Sequence, residues 1–415
     1  MNDWNRQPPP ESSLGDRQVN LDSTHLQNKR IALLITGSVA AMKAPLIARS
    51  LRRRGADVVA FVSSEALRYT TIDALEWSTI NPVVTKLTAA AEHLSDDFPF
   101  DAYLVAPATY NTINKLRYGI ADGVITSALA SAMGRMERGK TQILMAPTMH
   151  GSLHNSILTE SLQQLQNFGV KIIPPRVADG KNYLPDDAVI VSAVCRSVSR
   201  SSLKDIPILV TGGPTPVAID NVRRITNRFT GKLGACIAEE LYLRGAKVKL
   251  IHGISSYTPP AYLPQEIIHS YDEYRDLVMA ELATEAYPVG IFSAAVADYQ
   301  PKQIFPGKIP SGGALESINL IPTQKVIDLV RDKFPNLYMV TFKYQENVSH
   351  QELIAIAHNR LQRGDRMIVA NRGEEIGDRG EQVAYLVFEG KETQKAVGKA
   401  QIALEIADYL ENMLN

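Results

Sequence analysis

The chain has only two cysteines, Cys195 and Cys236, in 415 residues. No cysteine pair has metal-ligand spacing, which argues against both a disulfide framework and a zinc site. Net charge is also missing: 44 basic side chains meet 44 acidic ones, so the broad electrostatic footprint of a nucleic-acid binder is not there. No apolar run reaches the about 18 residues of a membrane span, and the N-terminus lacks the apolar core of a signal peptide. A cytoplasmic protein without a membrane or nucleic-acid partner is expected.

What is present suits more than one core. Hydrophobic residues make up 45% of the chain and charged residues 21%, ordinary values for a globular protein of about two domains at this length. Residues 1–29, with Pro8-Pro9-Pro10 and no sustained apolar period, are expected to form a disordered or loosely attached tail. Order begins at the apolar strand Ile31 to Thr36. The loop Gly37-Ser38-Val39-Ala40-Ala41 follows, then a basic amphipathic helix ending at Arg54-Gly55 and a strand from Asp57 to Ser63. The same syntax returns at Ile208 to Thr211, and LRRRGADVVAFVS at 51–63 is echoed by LYLRGAKVKLIHG at 241–253. Two tandem doubly wound α/β domains are therefore expected, at residues 30–194 and 207–415, joined by a polar, Ser-rich linker at 195–206. In such sheets ligands sit beyond the carboxyl ends of the strands. Further strands are expected at 102–106, 142–146, 170–173, 289–293, 337–342 and 367–370, and a closing amphipathic helix at 395–414.

Residues 208–234 change character three times. A buried strand ends at Thr211-Gly212-Gly213-Pro214, where glycines let the backbone turn and approach a ligand. A polar segment with Arg223, Arg224, Asn227 and Arg228 follows, and Thr230-Gly231-Lys232-Leu233-Gly234 opens a helix. Cations and helix amides converging after one strand suit phosphates and carboxylates.

TGGPT, IDNVRRITN and TGKLG together resemble the signature opening the synthetase domain of the bifunctional phosphopantothenoylcysteine decarboxylase/phosphopantothenate-cysteine ligase family of coenzyme A biosynthesis. The resemblance implies a Rossmann-like ligase domain that transfers a nucleotide, from CTP or ATP with Mg2+, onto 4′-phosphopantothenate before cysteine attacks. Asn227 would orient the acyl nucleotide and Arg223 would hold substrate charge. Phe292-Ser293-Ala294-Ala295-Val296-Ala297-Asp298-Tyr299 resembles the family's AAVADY motif, with Asp298 toward ribose or base, and Lys308 matches the lysine that neutralises the phosphates. Phe342 and Arg363 align with nucleotide-contacting positions. Thr323-Gln324-Lys325-Val326 departs from the bacterial Thr-Pro-Asp-Ile, so the choice of base is open.

The first half carries its own resemblance. Ala106-Pro107-Ala108-Thr109-Tyr110-Asn111, then Lys115 and Gly119-Ile120-Ala121-Asp122, are similar to the flavin signature of the flavodoxin-like cysteine decarboxylases, as are Gly37 to Ala41 and Ser63 to Ala66. FMN is implied, with Gly37, Ser38, Ser64, Thr109, Asn111 and Asp122 as contacts and His93 in the place of the active-site histidine. A lone histidine is more often structural; its place between the second and third strands raises the catalytic reading. Two positions depart from the family. Pro147-Thr148-Met149-His150 has His150 where the substrate-carboxylate motif carries an amide, and the clamp region at 174–186 has no cysteine to donate a proton. Decarboxylation is therefore expected to yield 4′-phosphopantetheine slowly or not at all. The alternatives are a ligase with a non-catalytic flavin domain and a flavoprotein regulatory subunit. A nicotinamide dehydrogenase lacks its GxGxxG spacing here. Family members dimerise through the ligase and trimerise through the flavin domain, so a homo-oligomer is implied.

Overall fold

The computed structural model describes residues 6–8, 10–94, 96–312 and 317–414. The chain divides into two compact units, Met1–Ser199 and Arg200–Asn415.

In the first unit the strands β1 (Arg30–Ile35), β2 (Asp57–Val62), β3 (Ala102–Ala108), β4 (Gln142–Pro147) and β6 (Lys171–Ile172) form one parallel sheet in the order β2-β1-β3-β4-β6. The order reverses between β1 and β3, so the loops after those two strands diverge and leave a crevice at their carboxyl ends. Helices α1 (Ala44–Arg53), α2 (Ile72–Thr79), α3 (Tyr110–Arg117), α4 (Val124–Glu137), α5 (Ser156–Asn167) and α6 (Asp187–Val198) make the crossovers. Residues 31 to 35 are fully buried, the unbroken apolar run expected of a parallel strand covered on both faces. Three short strands, β5 (Met149–His150), β7 (Arg176–Ala178) and β8 (Lys181–Tyr183), form a separate antiparallel sheet.

The expected tail needs correction. Residues 1–5 and 9 lie outside the described residues, but from Arg17 onward the segment is tied to α1. Arg52 donates from Nη2 to the Arg17 carbonyl at 2.8 Å, and the backbone N–H groups of Asp22 and Leu26 donate to the Arg53 and Arg54 carbonyls, each at 2.8 Å. Leu26 is fully buried, and one apolar anchor of this kind offsets ordering a polar segment. The expected linker also begins late: Cys195 to Val198 are the last turn of α6, with Cys195 in the core.

In the second unit β9 (Pro207–Gly212), β12 (Lys247–Gly253), β13 (Gln265–Ile268), β14 (Val289–Phe292), β17 (Tyr338–Gln345), β18 (Met367–Arg372), β19 (Val383–Phe388) and β20 (Gln394–Val397) form an eight-stranded sheet ordered β13-β12-β9-β14-β17-β18-β19-β20. The first six strands run parallel, and β19 and β20 add antiparallel. Its reversal point lies between β9 and β14. Helices α7 (Lys232–Leu243), α8 (Tyr271–Thr284), α9 (Val326–Lys333), α10 (His350–Leu361) and α11 (Lys399–Leu414) cover the faces. Two small hairpins, β10 (Val217–Ala218) with β11 (Arg224–Ile225) and β15 (Tyr299–Pro301) with β16 (Leu320–Pro322), stand at the carboxyl end. The closing helix starts later than residue 395, because 394–397 pair with β19 and Gly398, at φ +89°, ends that strand.

Candidate active sites

The first unit holds a cavity of about 840 Å³ at its reversal point, lined by Gly37, Ser38, Ser64, Thr109, Asn111 and Asp122, with Ser63, Glu65, Lys115, Thr126, Thr148, Met149 and His150. Six expected flavin contacts thus meet in one place. A Cβ at Gly37 would lie 2.5 Å from Glu65 Cβ, so only glycine lets the loops after β1 and β2 close on each other. Thr36, 2% exposed, donates to the Pro107 carbonyl at 2.7 Å and accepts from the Thr109 N–H at 3.2 Å, which locks the loops after β1 and β3. Lys115 pairs with Asp122 at 2.6 Å, and that ammonium is the first cause holding the Asp122 carboxyl below its ordinary value. Hydroxyls and the N-terminal amides of α3 and α4 make a donor set suited to a phosphate and a flat polar ring.

His150 lines this cavity. Its Nδ1 accepts from the Ser152 N–H at 3.3 Å, which leaves Nε2–H as a donor. The clamp region forms the hairpin of β7 and β8, turning at Asp179-Gly180 where both residues have positive φ. It docks beside the cavity: β8 pairs with β5, and a Cβ at Gly151 would lie 2.1 Å from the Gly180 carbonyl oxygen. His93 is not brought into the lining. It sits half-buried in a turn, and its Nδ1 has no hydrogen-bond partner among the described residues.

The second unit holds a cavity of about 710 Å³ beyond the ends of β9, β14, β17 and β18. Backbones meet there. A Cβ at Gly231 would lie 2.3 Å from Gly213 N, and one at Gly213 2.7 Å from Gly253 N; both residues also have positive φ. The glycines therefore bring the start of α7 against the loop after β9. The loop after β14 runs alongside, with the Ala295 N–H donating to the Gly213 carbonyl at 2.9 Å. Asn227 donates from Nδ2 to the Ala295 carbonyl at 2.8 Å. Asn227, Ser293, Ala294, Asp298 and Phe342 all line the cavity, whereas Phe292 is 4% exposed and packs in the core behind it.

Several expected contacts fall elsewhere. Arg363 is exposed and off the lining, and Arg360, one helical turn earlier on α10, lines the cavity instead. Lys308 and Arg223 lie outside the lining, on loops bonded to each other. Arg223 donates from Nη1 to Asp220 at 2.6 Å and to the Ile309 carbonyl at 3.2 Å. Asp298 is engaged by Lys325. Lys343 was not legible as a site residue, yet it lines the cavity half-buried; burial first, then Arg360 and Lys325, lowers its pKa. Arg360 is lowered chiefly by burial. Cations outnumber carboxylates: Lys232, Lys325, Lys343, Lys399, Arg228, Arg360 and Arg372 stand against Asp298, Glu375 and Glu381. Such a cavity favours a polyanion.

Fold and sites together define a tandem α/β protein that pairs a flavodoxin-like unit with a Rossmann-like unit, each with a polar cavity at its reversal point. Residues 19–199 match the family described as Flavoprotein, and residues 203–414 match the DNA/pantothenate metabolism flavoprotein C-terminal domain. The coenzyme A biosynthesis bifunctional protein CoaBC of Thermococcus kodakarensis is 35% identical over 94% of this chain and 97% of its own. The protein of the same name from Methanocaldococcus jannaschii is 30% identical over 83% and 84%. The chain belongs to this family of bifunctional coenzyme A biosynthesis proteins. Among solved structures, the DNA/pantothenate metabolism flavoprotein from Streptococcus pneumoniae aligns at a TM-score of 0.45 and 28% identity, over 50% of this chain and 99% of its own. A phosphopantothenoylcysteine (PPC) decarboxylase mutant complexed with pantothenoylaminoethenethiol aligns at 0.35 and 22%, over 40% and 96%.

Proposed function

We propose that the second unit consumes a nucleoside triphosphate, CTP or ATP, to join 4′-phosphopantothenate to cysteine, and that the first unit binds FMN and decarboxylates the product. The protein is a coenzyme A biosynthesis enzyme of the bifunctional type, with ligase and decarboxylase activities. The cationic cavity of the second unit carries the finer reading. Ligation needs the carboxylate oxygen turned into a leaving group, and nucleotide transfer does this with loss of pyrophosphate. Lys343, Arg360 and Lys325 stand where triphosphate charge would gather, and Asn227, fixed to the Ala295 carbonyl, faces the acyl group. Lys308, exposed on its loop and outside the cavity lining, would have to reach the phosphates from that loop. Among the described residues no group of three or more His, Cys, Asp or Glu side chains is gathered for a metal, so Mg2+ would arrive with the nucleotide.

In the first unit the residues present fit FMN: the closed glycine contact at Gly37 and the hydroxyl and amide donors of Ser38, Ser64, Thr109 and Asn111 suit its phosphate and ring. When bound, FMN supplies the oxidation that lets the substrate carboxylate leave. His150 would hold that carboxylate through Nε2–H; His93, which lies off the cavity lining, is the proton-exchanging residue only on the strength of the resemblance. Assembly into a homo-oligomer, through the ligase unit as a dimer and the flavin unit as a trimer, belongs to the same reading, as does a cytoplasmic location. Among the described residues no helix is long and apolar enough to cross a membrane.

The decisive experiment incubates the protein with 4′-phosphopantothenate, cysteine, Mg2+ and either CTP or ATP, and weighs the products by mass spectrometry. The cysteine adduct with pyrophosphate is expected. No adduct with either nucleotide overturns the ligase reading.

A further inference from the structure

Asp220 is 2% exposed, and its carboxylate is fully engaged by donors from two loops. Oδ1 accepts from the backbone N–H groups of Val222 at 2.8 Å and Arg223 at 2.6 Å. Oδ2 accepts from the Arg223 guanidinium at 2.6 Å and, across to the second loop, from the Ile309 N–H at 3.0 Å. Arg223 Nη1 closes the bridge on the Ile309 carbonyl at 3.2 Å. On the other side of Lys308, the Asn221 N–H donates to the Gly307 carbonyl at 2.9 Å. The residues before and after Lys308 are thus tied to residues 220–223, while Lys308 itself is exposed.

We propose, resting on the ligase reading above, that Asp220 is a positioning residue: it fixes the Lys308 loop to the hairpin of β10 and β11, from which the chain passes directly to Asn227. An ionised carboxylate is a pure acceptor with about four lone-pair sites, and here four donors fill them. A charge buried in this way needs partners of that number, which apolar packing between two loops would not require. The hairpin register, Val217 opposite Ile225, carries the tie to the stretch in which Asn227 bonds the Ala295 carbonyl. One carboxylate therefore sets the placement of two residues that act on the nucleotide. Arg223 serves first as part of this bridge.

Asp220→Asn is the informative variant, because its amide keeps the shape but turns one acceptor into a donor. Trypsin applied to the full chain should cut between Lys308 and Ile309 about 10-fold faster or more in Asp220→Asn than in wild type, since cleavage tracks the opened loop. Pyrophosphate release without cysteine should fall by a similar factor, about 10-fold, mostly in kcat, because the lost interaction acts in the transition state. In a Lys308→Gln background the same change should cost about 3-fold or less, the non-additivity of residues acting through one another. Unchanged trypsin sensitivity, or a full additive cost in the double variant, overturns the proposal. If Asp220→Asn does not fold, Arg223→Lys takes its place, keeping the charge while losing the second bond to Ile309, and the same two outcomes decide. A wild-type protein that makes no adduct would sink the ligase reading instead; the substrate-free trypsin comparison tells that failure apart.

Discussion

His150 and Lys181 are paired in the antiparallel ladder of β5 and β8, which stands a flexible ammonium beside the imidazole lining the flavin cavity. Directly opposed residues project to one face with Cβ atoms about 4.5–5.5 Å apart. Anion recognition there can draw on Nε2–H of His150 and on the Lys181 charge. His150→Asn should preserve binding of the phosphopantothenoylcysteine carboxylate, because the amide also donates. His150→Leu should raise KM about 10- to 100-fold, the value of a hydrogen bond to a charged group. Steady-state decarboxylation by both variants decides it, and equal KM values for Leu and Asn would refute the role.

No cysteine stands in the hairpin of β7 and β8, whose polar side chains include Asp179, Lys181 and Tyr183. None of these is a thiol of the kind that the family's clamp brings to the flavin, and a poorly matched acid hands on a proton slowly. Carbon dioxide release is therefore expected to outrun formation of 4′-phosphopantetheine, so that the oxidised enethiol accumulates. Anaerobic mixing with product masses taken over time measures this; multiple-turnover 4′-phosphopantetheine at ~1 per second, within the usual enzyme range, would show that another donor replaces the cysteine.

Gly37→Ala tests the flavin cavity from its tightest point. The new methyl must displace the loop after β2, a strain of about 1–3 kcal/mol in a close-packed region. The variant should purify with FMN content reduced about 10-fold while circular dichroism stays that of the wild type. Full flavin content would mean that the loop gives way freely.

Lys308→Gln and Asn227→Asp should stop different steps. Removing the cation is expected to slow pyrophosphate release about 100-fold, since a charge facing developing phosphate charge contributes a few kcal/mol. Asn227→Asp should leave that release measurable while cysteine capture fails. Pyrophosphate assays with and without cysteine separate the two, and equal losses in both assays would refute the assignment.

The repeated strand-loop-helix syntax made the parallel centre of both sheets legible, because a parallel strand is an uninterrupted apolar run that ends where its loop turns polar; the edge strands β13, β19 and β20 were not among the expected ones. Gly37, Ser38, Thr109 and Asn227 were picked out by the motifs that carry the resemblance, and each lies in or beside the cavity of its unit. Lys343 was not, since nothing local separates a cavity-facing lysine near the end of β17 from a solvated one. Arg360 stands in the last turn of α10 and Arg363 in the turn just beyond it, so alignment selected the exposed residue three positions on. Asp179-Gly180 is a hairpin signal of the strongest kind, and it is this turn that shortens the clamp region. The bonds of residues 17–29 to α1 and its cap are partly backbone to backbone, as from Asp22 and Leu26, and partly from the Arg52 and Arg54 guanidinium groups, and arginines on a basic helix give no sign of which partner they will bind.

Lys343 gives the nucleotide cavity a pH signature. Its pKa is lowered by burial and by Arg360 and Lys325, and Asp298, whose charge opposes that shift, is already engaged by Lys325. A phosphate placed among these cations favours the protonated amine and raises that pKa again. Binding must therefore take up protons at pH values near the lowered pKa, and affinity must fall as pH rises through it. Stability of the ligand-free unit moves the other way. The folded pKa lies below the unfolded one, so the unfolded chain binds more protons in the window between them and stability rises with pH there. Calorimetric titration with Mg2+ and CTP or ATP, repeated in two buffers of different ionisation enthalpy from about pH 8 to about pH 10, reads the uptake, and the terminal phosphate is already deprotonated in that range. Wild type should take up protons increasingly across it. Lys343→Met should lose most of the uptake and bind about 10-fold more weakly, as expected for one charged contact to phosphate. Uptake that is absent in wild type, or undiminished in Lys343→Met, would show that phosphate charge does not gather at this lysine.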